Sequence, residues 1–292
     1  MPDSAYFSVT KKLHLCQLVV RPIPFTSMSR ESFLLVPPSE GKRPGGGSAQ
    51  RPDSFKSQLA DARAELLAVL RQELANIPLE RASKLLKARG DLLDLSLRSM
   101  RACVAQNAPQ LPAWRRYSGV VWEHLDPATL EGAARKRLLV PSGLYGLNRG
   151  TDQISDYRLT MNVSLKGLGK LASFWREPVT EALCSCAKGG AVYNLLPQEH
   201  AAAVDFERVS DVAEVRHVSF LTADGSSTAG HAAKAMKGIV ARYLLEQGEQ
   251  GIGSLQWEGW RVRRVDGGLD VLAPRQSLVS KAKRGQGKED LL

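Results

Sequence analysis

FLLVPPSEGKRPGGGSAQRP, residues Phe33 to Pro52, joins an apolar run to a Ser-Glu-Gly-Lys turn and then to a glycine-rich segment. A short apolar run ended by two prolines reads as a strand, and a lysine among glycines at its end raises the question of a phosphate-binding loop. A Walker loop requires Gly, four residues, then Gly-Lys-Ser/Thr opening a helix, so that backbone N–H groups and the lysine surround the anion. Here Lys42 is followed by Arg43 and Pro44, and Gly45, Gly46 and Gly47 come after the lysine with no helix start beside them. The stretch therefore reads as a strand, a polar turn carrying Ser39, Glu40 and Lys42, and a glycine linker expected to be mobile. The turn is either a place for polar chemistry or a solvated bend.

The chain has 292 residues, enough for one large domain or two small ones, and its hydrophobic content of 43% supports a core. Forty Lys and Arg against thirty Asp and Glu give a net charge of +10 and a pI near 9.6. Such a molecule is drawn to polyanions, nucleic acid foremost. Part of the excess lies in SLVSKAKRGQGKEDLL, which has no apolar periodicity, and residues 276–292 read as a basic flexible tail. Cys16, Cys103, Cys184 and Cys186 are too unevenly spaced for a disulfide framework, and the Cys-x-Cys pair lacks a second pair to complete a zinc site. The expectation is a reduced cytoplasmic compartment with no metal and no cofactor. No segment approaches the ~20 apolar residues of a membrane helix. Residues 1–27 carry no signal-peptide cleavage pattern and read as a flexible extension, with Met28 as an alternative start.

SFKSQLADARAELLAVLRQELANI spaces Leu59, Leu66, Leu67, Leu70 and Leu74 as an amphipathic helix. Pro78 then reads as a first helical position, followed by a helix, a turn at Arg89-Gly90-Asp91 and a second helix. Gly90 suits a left-handed cap and Asp91 the next N-cap. This helix-hairpin-helix over residues 78–105 carries Lys84, Lys87, Arg89, Arg98 and Arg101. It is either a DNA-phosphate-binding hairpin or an ordinary helical hairpin with a solvated basic face.

RLLVPSGLYGL reads as a strand running into Ser142, with Gly143 and Gly146 bracketing Leu144 and Tyr145 so that the backbone approaches something closely. Asp152, Tyr157 and Arg158 belong to a loop expected to fold back beside it. SFWREPVTEAL is a helix, AVYNLLPQEH a buried strand with a polar turn holding Asn194, Glu199 and His200, and VRHVSFLTAD and GLDVLAP are strands. HAAKAMKGIVARYLLEQG is a helix with Lys234 and Lys237 on one flank and Arg242 beyond. This order argues for a mixed α/β or α+β fold in a single compact domain over residues 28–275, with a central mixed sheet, flanking helices and the inserted hairpin.

LLVPPSEGK, SGLYGL followed by DQISDYRL, Phe174-Trp175, NLLPQEH and AKAMKGIVARYLLE occur in the order and spacing of the YaaA peroxide-stress protein family, which the chain resembles over about residues 32–270. Its Ser-Glu-Gly-Lys form, where distant members carry Ser-Pro-Ala-Lys, looks like an actinobacterial-type member. The resemblance implies a cytoplasmic protein that protects cells against peroxide by limiting damage from unincorporated iron. It also implies a positively charged cleft that binds duplex DNA together with the hairpin residues Lys84, Lys87, Arg89, Gly90 and Arg98. The cleft would be lined by Ser39, Lys42, Ser142, Tyr145, Arg158, Asn194, Glu199, Lys234, Lys237 and Arg242. Two departures are His200, where tyrosine is frequent, and Lys237, where arginine is common and grips phosphate bidentately.

Two functions compete. The first is DNA binding through phosphate contacts that shield DNA from iron-driven oxidation. The second is an enzyme acting on a nucleotide, nucleobase or similar small anion, with Glu199 as base and Lys234 or Arg158 as anion clamp, because the named residues are too varied for a plain DNA groove. Direct iron binding is the weaker reading. His124, His200, His217 and His231 show no ligand spacing, and Cys184 and Cys186 read as structural thiols before peroxide sensors.

Overall fold

The computed structural model describes residues 31–47 and 53–274. The expectations for residues 1–27, for residues 276–292 and for Cys16 fall outside them.

Strand β1 (Ser32–Leu35) is the apolar run, with Leu34 and Leu35 fully buried. Helix α1 (Lys56–Ala75) buries Leu59, Leu66, Leu70 and Leu74 along one stripe. The hairpin is α2 (Leu79–Leu86) and α3 (Asp91–Val104), and its turn departs from the expectation. Pro78 is an N-cap, the left-handed residue is Lys87 (φ 47°), and Gly90 (φ 54°, ψ −142°) caps α3, so Asp91 is already helical. The cause is an early stop. The Ala88 N–H donates to the Ser83 carbonyl, and Ser83 Oγ donates to the Ala88 carbonyl at 2.7 Å, which closes α2 before the glycine is reached.

Strand β2 (Gln110–Pro112) and three short helices, α4 (Ala113–Arg116), α5 (Val120–Leu125) and α6 (Gly132–Lys136), lead to β3 (Leu138–Ser142) and β4 (Gly146–Arg149). Strand β5 (Gln153–Ser155) returns to pair with β2, and the ribbon of β6 (Ser164–Leu165) and β7 (Gly169–Lys170) enters α7 (Leu171–Ala187). The remaining elements are β8 (Ala191–Asn194), α8 (Gln198–Ala201), α9 (Phe206–Ser210), β9 (Glu214–Leu221) and α10 (His231–Gln247). A terminal meander of β10 (Gln256–Trp257), β11 (Trp260–Val265) and β12 (Gly268–Leu272) completes the fold.

Eight strands form one sheet in the order β10-β11-β12-β9-β8-β1-β3-β4. The five from β12 to β3 in that order are mutually parallel, and antiparallel strands close both edges. This is the mixed α/β fold expected from the alternation of elements. Its order reverses at β1. The chain leaving β1 ends on one side, in β3, whereas the chain leaving β8 on the other side continues outward to β9. Segments at the carboxyl ends of β1 and β8 must therefore separate, and in open α/β sheets that separation is where ligands bind.

The glycine segment is held rather than free. Gly47 exchanges backbone hydrogen bonds with Gln110 at 3.1 and 2.9 Å, and a Cβ on Gly46 would lie 2.3 Å from the Gln110 carbonyl oxygen. Arg116, fully buried, donates to the carbonyls of Arg43, Gly45, Pro109 and Ile154. Those acceptors come from three separate segments. Nothing in the linear spacing of the glycines announces such a partner.

Helix α10 reaches the cleft by lying on α5. The approach is so close that a Cβ on Gly238 would sit 2.3 Å from the Val121 carbonyl oxygen and 2.8 Å from the Leu125 nitrogen. Backbone cannot yield as a side-chain tip can. Gly238→Val is expected to lower unfolding free energy by about 2–3 kcal/mol through overpacking, measured by urea denaturation. Gly253→Ala, whose nearest neighbour would be 3.9 Å away, should stay within about 0.5 kcal/mol of the parent.

Candidate functional site

A cavity of about 740 Å³ opens where β1 and β8 part. Its walls are the turn after β1 (Pro37–Lys42), the end of the hairpin's first helix (Leu86, Lys87), residues 118–122, the 157–160 segment, the turn after β8 (Leu196–His200), the end of β9 with the following loop, and the first turns of α10. Five cationic side chains line it, Lys42, Lys87, Arg158, Lys234 and Lys237, against two acids, Glu40 and Glu199. Among the described residues none of the five cations is in an ion pair. Five cations converging against two acids leave a positive excess that suits an anion. The start of α10 adds the unpaired N–H groups of a helix N-terminus.

Lys42 is half-buried in the wall. Its Nζ donates to the Ser39 carbonyl at 2.8 Å and lies 4.2 Å from the centre of the Tyr157 ring and 5.6 Å from that of Tyr117. Ring faces attract a cation, but they replace its lost hydration only in part. Burial, opposed by Asp156 and reinforced by Arg158, brings the Lys42 amine down from its ordinary 10.5 to about 7. The turn is fixed from behind, where the Ser118 N–H donates to Ser39 Oγ at 2.9 Å and Lys42 bridges Tyr117 in antiparallel register.

The tyrosines are joined in a chain. Ser142 Oγ donates to the Tyr157 hydroxyl at 2.8 Å, that hydroxyl is 2.9 Å from the Tyr117 hydroxyl, and the Tyr145 N–H donates to Ser142 Oγ at 3.1 Å. Burial raises Tyr117 and Tyr157 well above the ordinary phenol, so both remain protonated. The loop of Tyr157 and Arg158 does fold back on Ser142. The close approaches allowed by Gly143 and Gly146 are internal, however. A Cβ on Gly143 would meet the Leu159 carbonyl at 2.5 Å and one on Gly146 the Trp175 ring at 2.7 Å, while Trp175 Nε1 donates to the Gly143 carbonyl at 3.0 Å.

Of the residues expected in the cleft, Ser39, Lys42, Arg158, Glu199, Lys234 and Lys237 line it. Ser142, Tyr145, Asn194 and Arg242 do not. Ser142 is fully buried behind Tyr157, and the Tyr145 hydroxyl accepts the Ser155 N–H at 2.9 Å. Asn194 closes the turn after β8, with Oδ1 accepting the Leu196 N–H at 3.0 Å and Nδ2 3.1 Å from His217 Nδ1. Arg242 faces the other way, donating to the Leu125 and Asp126 carbonyls at 3.2 Å and to Thr129 Oγ1 at 2.8 Å, and pairing with Glu246 at 2.7 Å. Arginine eight residues beyond Lys234 has turned away from the cleft.

Lys237 donates to the Leu195 carbonyl at 3.0 Å and lies 4.0 Å above the Phe220 ring, and burial lowers it to about 8. Arg158 Nε donates to the Leu86 carbonyl at 3.0 Å, tying the cavity wall to the hairpin. His200 is 6% exposed. Its Nδ1 has no hydrogen-bond partner, since Glu199 Oε1 at 3.4 Å is misaligned, and burial lowers the ring to about 4, keeping it neutral. In the hairpin Lys84 pairs with Glu80 at 2.6 Å, whereas Lys87, Arg89, Gly90 and Arg98 are exposed. Burial raises Cys103 to about 12 and Cys186 to about 11, which disfavours the thiolate a peroxide sensor uses. Among the described residues no group of three His, Cys, Asp or Glu side chains is placed to hold a metal, and no helix is long and apolar enough to cross a membrane.

Sequence reasoning passed over Tyr117, Ser118, Gln198 and Thr228. The first two are distant in the chain from the Lys42 they support. Thr228 had a signal, because GSSTAG before an amphipathic helix is a loop that delivers a helix N-terminus.

Residues 33–264 match the sequence family described as peroxide stress protein YaaA. The chain belongs to the YaaA family. Similar proteins include a UPF0246 protein of Streptomyces coelicolor, 38% identical over 228 residues that cover 74% of this chain and 84% of the relative. Another from Corynebacterium efficiens is 30% identical over 218 residues, 73% of this chain and 84% of the relative. A UPF0246 protein of Ruegeria is 36% identical over 149 residues, 48% and 59% of the two chains. The family match spans the whole YaaA-type sheet except part of its last meander, so the cleft lies inside it.

Lys42 makes stability depend on pH. The unfolded chain keeps this proton up to about 10.5 and the folded chain only to about 7, so stability rises with pH between those values and is lowest below 7. Lys42→Met is expected to be more stable than the parent at pH 6.5, by on the order of 2–4 kcal/mol. The difference should shrink at pH 9.5, as read by urea unfolding at the two pH values.

Proposed function

We propose that this YaaA-family protein binds duplex DNA across the cleft and hairpin during peroxide stress, and that by covering the phosphate backbone in the cytoplasm it limits iron-driven strand damage. The observation that carries this reading is the shared wall. Lys87 belongs at once to the hairpin's turn and to the cavity, and Arg158 is tied to the end of α2. Hairpin and cleft thus share a wall on which, among the described residues, Lys87 and Arg158 stand outside any ion pair. Exposed Leu92 and Leu95, one helical turn apart beside the hairpin's turn, add an apolar surface that suits sugar faces. Contacts of this kind position DNA without reading its sequence.

A second reading is favoured by Lys42 and His200. An amine and a neutral imidazole buried in the lining of one cavity suit a small anionic substrate, which plain backbone contact does not require.

Fluorescence anisotropy of a labelled duplex across a salt series tests the first reading. Affinity should fall steeply with salt. Lys87→Ala with Arg158→Ala should weaken binding to all sequences alike and reduce the log–log slope by about 1 for each phosphate the protein no longer neutralises. Binding unchanged through several hundred millimolar salt would refute the electrostatic account. The protein should also protect supercoiled plasmid from nicking by ferrous iron and peroxide, and the double variant should protect it less.

A further inference from the structure

The geometry points to Lys42 as a nucleophilic amine that captures the aldehyde of a phosphorylated sugar, forming an imine within the cleft. Four observations converge on it. Lys42 lines the cavity, and its Nζ holds a single hydrogen bond, to the Ser39 carbonyl, and among the described residues meets no carboxylate at ion-pair distance. A lysine placed to anchor an acid would have one. Its platform is aromatic, the rings of Tyr157 and Tyr117, and it is half-buried where Lys87 and Lys234 of the same lining are exposed and able to hold phosphate. On the same cavity wall stands His200, a neutral imidazole whose buried Nδ1 has no hydrogen-bond partner. A cavity of about 740 Å³ is ample for a sugar phosphate.

The burial that supports this placement also supplies the reactive form. A lysine amine is a nucleophile only when neutral, and desolvation in an apolar pocket is how enzymes keep it so near pH 7. Burial that brings the amine down to about 7 makes its neutral form accessible at neutral pH. The step balances without an oxidant or reductant. The nitrogen lone pair forms the C–N bond as the carbonyl π pair moves to oxygen. Two protons pass from nitrogen to that oxygen, which leaves as water, and addition of water reverses the sequence.

Such an aldehyde has two sources, a ring-opened abasic deoxyribose within DNA or a free sugar phosphate. The first rests on the DNA reading above, and the second does not.

The test incubates the full chain with sodium borohydride and either a duplex carrying one abasic site or 2-deoxyribose 5-phosphate. Borohydride reduces an imine to a stable amine, which intact mass and peptide mapping locate. The expected result is a single adduct at Lys42 from at least one probe. Its yield should fall at least tenfold in Lys42→Met and in Lys42→Arg, which keeps the charge but forms no such imine, and should be unchanged in Lys188→Met, a lysine outside the cavity. Circular dichroism and thermal unfolding of the variants establish that they fold. No adduct from either probe overturns the inference, as does an adduct spread over surface lysines that persists in Lys42→Met. Anisotropy with unmodified duplex separates the two readings. Duplex binding without any adduct removes the imine and leaves the DNA reading, whereas trapping of free sugar phosphate at Lys42 without duplex binding does the opposite.

Discussion

Strands β1 and β8 lie side by side and parallel, and the segments leaving their carboxyl ends cannot both turn the same way. That constraint opens the cleft before any side chain is considered. Into the opening fall the Ser39–Lys42 turn from one strand and the Leu196–His200 turn from the other, and α10 brings Lys234 and Lys237 because Gly238 lets it press on α5. The cleft is a property of strand order. Its charge is a property of the few residues delivered there, five cations against two acids, with no ion pair between them among the described residues.

Holding an unpaired lysine inside such a cleft costs stability, and the surrounding structure offsets that cost. Arg116 is the main device. Its guanidinium is itself buried without an ion pair among the described residues, yet its hydrogen bonds to four carbonyls satisfy it and gather three segments behind the Lys42 turn. Burial lowers its affinity for the proton, opposed by Asp156, but an arginine in this range stays charged. A lysine at position 116 could not make the same fork of bonds. The Ser118 N–H on Ser39 and the tyrosine chain through Ser142 complete the support. A charge kept partly unsatisfied on a rigid platform is poised to gain from an anion or to act as an amine.

Much of this fold was legible in the residues alone. Phe33 to Leu35, the leucine stripe of α1 and the strand Ala191–Asn194 announce themselves by local pattern, and each element forms where the pattern lies. Turn chemistry was less legible. Gly90 looked like the left-handed cap because glycine prefers that conformation, but Ser83 closed α2 early and forced it on Lys87. The glycines after Lys42 looked like a linker because composition says nothing of Gln110 and Arg116, which hold them from far along the chain. In the cleft the same division holds. Ser39, Lys42, Glu199 and Lys234 stand at the ends of local elements and point where the topology sends them, whereas Ser142, Tyr145, Asn194 and Arg242 are turned aside by tertiary partners that no spacing reveals.

The measurement that bears most directly on this account is the titration of the Lys42 ammonium by heteronuclear NMR, in the free protein and with saturating inorganic phosphate. The account predicts a midpoint near 7 in the free protein, moving upward when the anion enters the cleft and favours the charged form. A midpoint at the ordinary 10.5, unmoved by phosphate, would contradict it.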